Sequence, residues 1–207
     1  METRALDGTL GISETTYRAL GLEESGETTS SGTPQVLPAI ASLLEKSIRR
    51  NERLVKASRK NDVVSIFHGS KAPTLSVRQY LERIFKYSNC STSCFVVAYI
   101  YVDRFFQNRS GFCLTSLNVH RLLITAVMVA AKFLDDACDN NAYYAQVGGV
   151  STEEMNELEM EFLFSLKFRL QVTTDVFETY CQYLEKGGGS NRGDEYPISR
   201  RSKVKNF

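Results

Sequence analysis

Between residues 34 and 185 the apolar residues recur mainly at helical spacing. Thr33-Pro34 and Pro38 mark a helix start, because proline is tolerated in a first turn. Val36, Ile40, Leu43, Leu44, Ile48 and Val55 then form one stripe. Glu45, Lys46, Arg49, Arg50, Glu52 and Arg53 occupy the other side, so this helix lies on something else. Phe67 to Pro73 reads as a loop by its glycine and proline. Ser76 and Gln79 predict a capping box that opens a helix carrying Val77, Tyr80, Leu81, Ile84 and Phe85. A polar turn over 88–93 precedes Cys94 to Phe106, which is nearly all apolar. Its β-branched residues permit a strand, but its length favours a buried helix. Asn108 to Gly111 ends it.

Leu122 to Ala131 is uncharged and apolar on every side, as expected of a helix at the middle of a bundle. It is too short to cross a bilayer, which takes about 20 apolar residues. Asn118 is expected to cap it. After Asp136 the chain turns polar through Asn140-Asn141, Tyr143-Tyr144 and Gly148-Gly149. Ser151 with Glu154 predicts a second capping box, opening a helix whose stripe is Met155, Leu158, Phe162, Leu163 and Leu166. A last helix from Thr174 to Glu185 carries Val176, Phe177, Tyr180, Cys181 and Leu184, and Gly187-Gly188-Gly189 stops it. No convincing strand competes, so the pattern predicts an all-α domain over about 60–185. Residues 34–60 form a leading helix. Residues 1–33 and 186–207, rich in polar groups, are expected to be disordered tails.

A chain of 207 residues with 43% hydrophobic content has room for one core. Its net charge of +1 offers no basic field for nucleic acid, and no membrane segment is expected. Met-Glu-Thr-Arg is followed by no apolar stretch, so a secretory leader is not expected. Cys90, Cys94, Cys113, Cys138 and Cys181 are therefore read as buried free thiols. The Cys90/Cys94 spacing suits a metal, but neither His68 nor His120 has a ligand-like neighbour, so zinc is not expected. There is no phosphate-binding loop and no nucleophile with an evident base, hence no sign of a cofactor or a small-molecule substrate. Asp135-Asp136 and Glu153-Glu154 fit solvated helix ends. Arg192-Gly193-Asp194 is read as a chance match to an adhesion tripeptide, and Arg200-Arg201 with Lys203 and Lys205 suits nuclear import.

Three charged residues stand in apolar surroundings. Lys132 ends the central run, either snorkelling against the helix dipole or standing as a fixed cation at the rim of a binding surface. Glu159 lies four residues from both Met155 and Leu163, either at the exposed edge of a stripe or as the partner of Lys132. Together the two would present opposite charges able to cap backbone groups of another molecule. Asp103 closes an apolar helix and predicts a structural ion pair inside the bundle with Arg78 or Arg83.

Tyr99-Ile100-Tyr101-Val102-Asp103-Arg104-Phe105, Ala130-Ala131-Lys132-Phe133, and Leu158-Glu159 ahead of Leu163 and Leu166 resemble the cyclin box, in order and at its spacing, from Leu75 to about Leu170. Tyr80-Leu81-Glu82-Arg83-Ile84, Asn118-Val119-His120-Arg121-Leu122-Leu123 and Asn156-Glu157-Leu158-Glu159 resemble the plant U-type (P-type) cyclins, relatives of the fungal phosphate-signalling cyclins. The resemblance implies one five-helix cyclin box, the third helix central, within 61–185 and preceded by the 34–60 helix. It implies a non-catalytic subunit that binds and activates a cyclin-dependent kinase, here an A-type plant kinase, in the nucleus and/or cytoplasm, for cell-cycle or phosphate-linked control. Lys132 and Glu159 would then contact the kinase's regulatory helix and the loop before it, the leading helix would be a further source of contacts, and Asp103 would hold the first two helices together. The mitotic docking patch Met-Arg-Ala-Ile-Leu is replaced by Val77-Arg78-Gln79-Tyr80-Leu81, so substrate docking by that route is not expected. The N-terminal tail has no Arg-x-x-Leu element, and the stretch after residue 185 is too short for a second box. The rivals are a cyclin-fold transcription adaptor, which would want a basic face for DNA, and a small all-α enzyme.

Overall fold

A computed structural model describes residues 14–22, 32–58, 64–109 and 111–187. The basic residues at 200–205 and the tripeptide at 192–194 lie outside the described residues. Eight helices are present in the described residues: α1 (Glu14–Leu20), α2 (Val36–Ser58), α3 (Val77–Ser88), α4 (Thr92–Asn108), α5 (Val119–Leu134), α6 (Asn141–Gly148), α7 (Thr152–Ser165) and α8 (Thr174–Glu185). Among the described residues there is no strand, and no helix is long and apolar enough to cross a membrane.

Every residue from Leu122 to Ala131 is buried, so α5 is the hub the composition called for. Its hidden hydroxyl, on Thr125, is satisfied by donating 2.7 Å to the Arg121 carbonyl one turn back. Helices α3, α4, α6 and α7 pack on α5. Helix α2 lies against α3, α4 and α8, and α1 rests on α8. An aromatic cluster fills one end of the core. Phe105 sits 5.2 Å from Phe67, 5.3 Å from Phe112 and 5.5 Å from Phe162, ring centre to ring centre. Phe67 comes from the loop before α3, which is thereby pinned. The next turn approaches closely: Gly69 donates 2.8 Å to the Leu117 carbonyl, and a Cβ there would stand 2.6 Å from an Arg121 nitrogen.

Local signals were mostly legible. Ser76 and Gln79 form the expected reciprocal cap of α3. At α7 only half of the second box forms. Ser151 accepts from the Glu154 amide at 3.0 Å, but the Glu154 carboxylate takes Arg121 of α5 instead of reaching back. Asn118 stands at the start of α5 yet does not cap it with its side chain. Its amide closes the preceding turn, accepting from Thr115 N at 2.9 Å and donating to Cys113 O at 2.8 Å, with His68 Nε2 3.1 Å away. Asn118 and Thr115 are buried, and the polar groups of that turn outcompete those of the helix end for the side chain.

Two helices were not expected. The stretch read as a polar turn holds α6, capped by Asn140 and closed by a left-handed Gly149. Only Tyr144, Ala145 and Val147 of it are buried, too few to show a helical period. Gly148 lets it sit against α5: a Cβ there would lie 2.8 Å from Ile124. The stretch read as an N-terminal tail holds α1. Leu20 is buried, Thr16 donates 2.7 Å to Glu185, and Tyr17 stacks on Phe177 of α8.

Candidate functional site

The last turn of α5, the start of α6 and the middle of α7 converge on one polar cluster. Lys132 Nζ donates to Glu159 Oε1 at 2.6 Å and to Asn141 Oδ1. The Asn141 amide donates 2.7 Å to Glu159 Oε2 and 2.7 Å to Asn156 Oδ1. Both carboxylate oxygens and the whole Asn141 amide are thus engaged. The side chains are 35% (Lys132) and 15% (Glu159) exposed, so this is a half-sheltered, braced pair and not a loose surface bridge. The structure therefore brings together the two residues singled out from the sequence. It adds Asn141 and Asn156, which sequence reasoning missed as site residues. Asn141 had no signal of its own, because the helix that aims it was read as a turn.

Large apolar side chains stand exposed on the same elements. Phe133 and Leu134 follow Lys132 at the end of α5, and Met160 and Phe164 occupy the outward side of α7. Phe168, in the turn after α7, is 54% exposed and meets Phe164 edge to face at 5.3 Å. Its backbone is unusual. Lys167 and Phe168 both have left-handed φ, 54° and 55°, a conformation costing roughly 1–2 kcal/mol for a residue with a side chain. The surroundings impose it. Tyr101 donates 2.7 Å to Leu170 O, Arg104 donates to Arg169 O and Gln171 O at 2.9 and 3.0 Å, and Asn108 donates 3.1 Å to Ser165 O. Helix α4 thus holds the turn that presents Phe168. Such exposed apolar groups beside fixed charges are the makings of a protein-binding surface.

Asp103 is placed differently from the expectation. It is fully buried in α4, and its carboxylate accepts from Tyr180 of α8 at 2.5 Å and from Gln107 at 3.1 Å. Neither expected arginine reaches it. Arg78 pairs with Glu82 at 2.9 Å on the exposed side of α3. Arg83 donates to the Val147 and Gln146 carbonyls, at 2.9 and 3.5 Å, capping the end of α6 where a cation complements the helix dipole. The α3 side chains nearest in charge and sequence simply face the wrong way.

The cysteines divide likewise. All five are free thiols. Cys90, Cys94 and Cys181 are buried, Cys113 is half-buried and Cys138 is exposed. Among the described residues no three His, Cys, Asp or Glu side chains gather as a metal-ligand set.

Five helices, α3 to α7, with the third enclosed by its neighbours and a charged pair at its end, define a cyclin-type helical module. The comparisons agree: the model of the cyclin family matches residues 22–170, and the chain belongs to that family, whose members are regulatory. The matched span takes in α2, which the sequence reading had set before the box. Among plant cyclins of the U and P types, the chain is 52% identical to Cyclin-P3-1 of Oryza sativa subsp. japonica over 84% of this chain and 73% of that one. It is 54% identical to Cyclin-U4-1 of Arabidopsis thaliana over 73% of this chain and 75% of the relative. With Cyclin-U1-1 of Arabidopsis thaliana the identity is 50% over 76% of each.

Proposed function

We propose that this protein is the regulatory subunit of a cyclin-dependent serine/threonine kinase, an A-type plant kinase, and that it activates the kinase by binding while doing no chemistry itself. What supports the reading is the braced Lys132–Asn141–Glu159 cluster, set among exposed apolar side chains of α5, α7 and the turn after it. Lys132 has a third N–H to offer. Glu159 has carboxylate lone pairs to spare. Held by three helices, both can meet backbone groups of a partner helix without reorganising, while Phe133, Leu134, Met160, Phe164 and Phe168 supply area to bury.

Activation follows from differential affinity. A protein kinase is competent only when its own Lys–Glu ion pair forms, which requires its regulatory helix to swing inward. A subunit that binds the inward state alone shifts the population by that preference and no more. Moving from about 1:99 to 99:1 takes roughly 5.5 kcal/mol. The apolar surface contributes most of that, and the charges fix register and orientation.

The test is capture of an A-type plant kinase by the full chain, with kinase activity measured in the eluate. Active kinase retained by wild type and lost from a folded Lys132→Glu, Glu159→Lys double variant is the expected result. Equal capture by both proteins would remove this surface from the interface. Capture without activity would make the chain a scaffold or inhibitor.

A further inference from the structure

A second polar face belongs neither to the Lys132 cluster nor to the core. Near the end of α3, Tyr87 stands 45% exposed. Two cations share its ring: Arg83 Cζ lies 5.8 Å and Lys86 Nζ 5.2 Å from the ring centre. Arg83 is held in place. Its Nε donates 2.9 Å to Val147 O, and one terminal nitrogen reaches Gln146 O at 3.5 Å, so the end of α6 fixes the plane of the guanidinium. Tyr87 is fixed as well, because Tyr143 of α6 donates 2.5 Å to its carbonyl. Asn141 of the Lys132–Glu159 cluster lies on the same short helix, about 9 Å of helix rise before Val147. Helix α6 therefore braces both faces.

Cations at the end of α3 complement its dipole. The dipole does not balance their charge. Arg83 and Lys86 are neighbours on one side of the helix, where like charges repel, and neither is ion-paired among the described residues. Glu82, the acid beside them, is taken by Arg78 at 2.9 Å. Helix α6 and the turn from Ser88 to Ser91 carry no charged residue. Of the five N–H groups of Arg83, two are spent on α6 and three are left. Lys86 adds its ammonium and Tyr87 its hydroxyl. A fixed fork, a second cation and a hydroxyl suit a phosphate monoester, which carries about −2 at pH 7 and three strong acceptor oxygens. A carboxylate would neutralise only one of the two cations.

We propose that Arg83, Lys86 and Tyr87 form a docking point for a peptide that carries phosphoserine or phosphothreonine, the phosphate bridging the two cations. Its use rests on the function proposed above. A kinase subunit that holds a residue already phosphorylated keeps the rest of that peptide near the kinase, so a substrate with several sites gains its second phosphate faster than its first. The binding itself does not rest on that reading.

The full chain is titrated into a short fluorescent Gly/Ala peptide with one central phosphoserine, and anisotropy is measured. The expected result is binding about tenfold or more tighter than that of the same peptide with serine or glutamate in its place. Arg83→Lys, which keeps the charge and loses the fork, and Lys86→Gln should each weaken binding about tenfold with helix content unchanged. Lys86 makes no hydrogen bond among the described residues, so its variant decides the matter even if Arg83→Lys loosens α6. Lys71→Gln removes an exposed cation elsewhere and should leave the affinity as it is. Equal affinity for the phosphoserine and serine peptides, or equal weakening by Lys71→Gln, would overturn the site. Glutamate binding as tightly as phosphoserine would overturn the phosphate assignment and leave a general surface for acidic peptides. With captured kinase, a peptide bearing two serines should gain its second phosphate faster than its first, and Lys86→Gln should bring the two rates together. Equal rates in wild type would overturn the coupling to catalysis. Should the chain capture no kinase, the functional reading fails, and the anisotropy still decides the docking point.

Discussion

Tyr180 hands its phenolic hydrogen to Asp103 at 2.5 Å, tying α8 to the buried middle of α4. The acceptor is wholly enclosed, so the bond is one to a sheltered charge, a kind that contributes about 1.5–3 kcal/mol. Tyr180→Phe keeps the ring and its edge contact with Tyr99, 6.0 Å away, and removes the hydroxyl that donates to Asp103. The variant is expected to lose about 1.5–3 kcal/mol in urea unfolding with its helix content unchanged. A loss below about 0.5 kcal/mol would mean that Gln107 and the other neighbours satisfy the carboxylate without the tyrosine.

The same aspartate shows where the sequence stops being readable. Its burial was foreseeable, because it interrupts an apolar run. Its partner was not, because α3 and α8 are equally available in one dimension and only packing decides which faces α4. The Lys132–Glu159 pair was anticipated because each residue breaks an apolar pattern on helices that the pattern itself located. Asn141 was invisible for the opposite reason: three buried positions do not make a period, so the helix aiming it went unread. Phe168 carried no signal either. Left-handed backbone is announced by glycine, and here bonds from α4 impose it on Lys167 and Phe168.

Lys132→Glu places two carboxylates face to face at a site between exposed and buried. Exposed pairs contribute up to about 1 kcal/mol and broken buried pairs cost about 3–5, so a loss of roughly 1–2 kcal/mol is expected. Adding Glu159→Lys restores attraction, and the Asn141 amide can turn over to match. The double variant should recover more than half of the loss in thermal melts. It still presents reversed charges outward, so it should melt closer to wild type than the single variant does and bind no better than that variant. Additive losses in the two single variants and the double would show that the residues are not coupled.

Phe168→Gly separates stability from binding. Glycine adopts left-handed φ without penalty, so removing the strained, exposed ring should leave unfolding unchanged or raise stability by up to about 1 kcal/mol. An aromatic anchor at an interface contributes roughly 2 kcal/mol or more, so kinase capture should weaken about tenfold or beyond. A destabilised Phe168→Gly would mean that the ring's contact with Phe164 outweighs the strain.

His120 sets a pH dependence whose sign can be worked out. Its Nε2 lies 2.9 Å from Leu75 O, so the neutral ring donates there, and Nδ1 is buried with no partner among the described residues. Protonation would add a second N–H, at the unpartnered Nδ1, and a positive charge to a ring that meets Tyr80 edge to face, 4.7 Å between ring centres, and feels the charge of Arg121. The folded imidazole is therefore held below its ordinary value of 6.5, chiefly by burial, with the Leu75 bond pulling the other way and Arg121 adding to the depression. The unfolded chain then binds more protons than the native one in the window just below 6.5, so stability rises with pH there. This contribution is whole above 6.5 and shrinks as pH falls from 6.5 toward the folded value, below which the loss is complete. Urea midpoints taken between pH 7.5 and 5.5 should fall with acid in wild type and fall less in His120→Gln, whose amide can still donate to Leu75 but does not titrate. Equal slopes in the two proteins would assign the acid sensitivity to carboxylates instead.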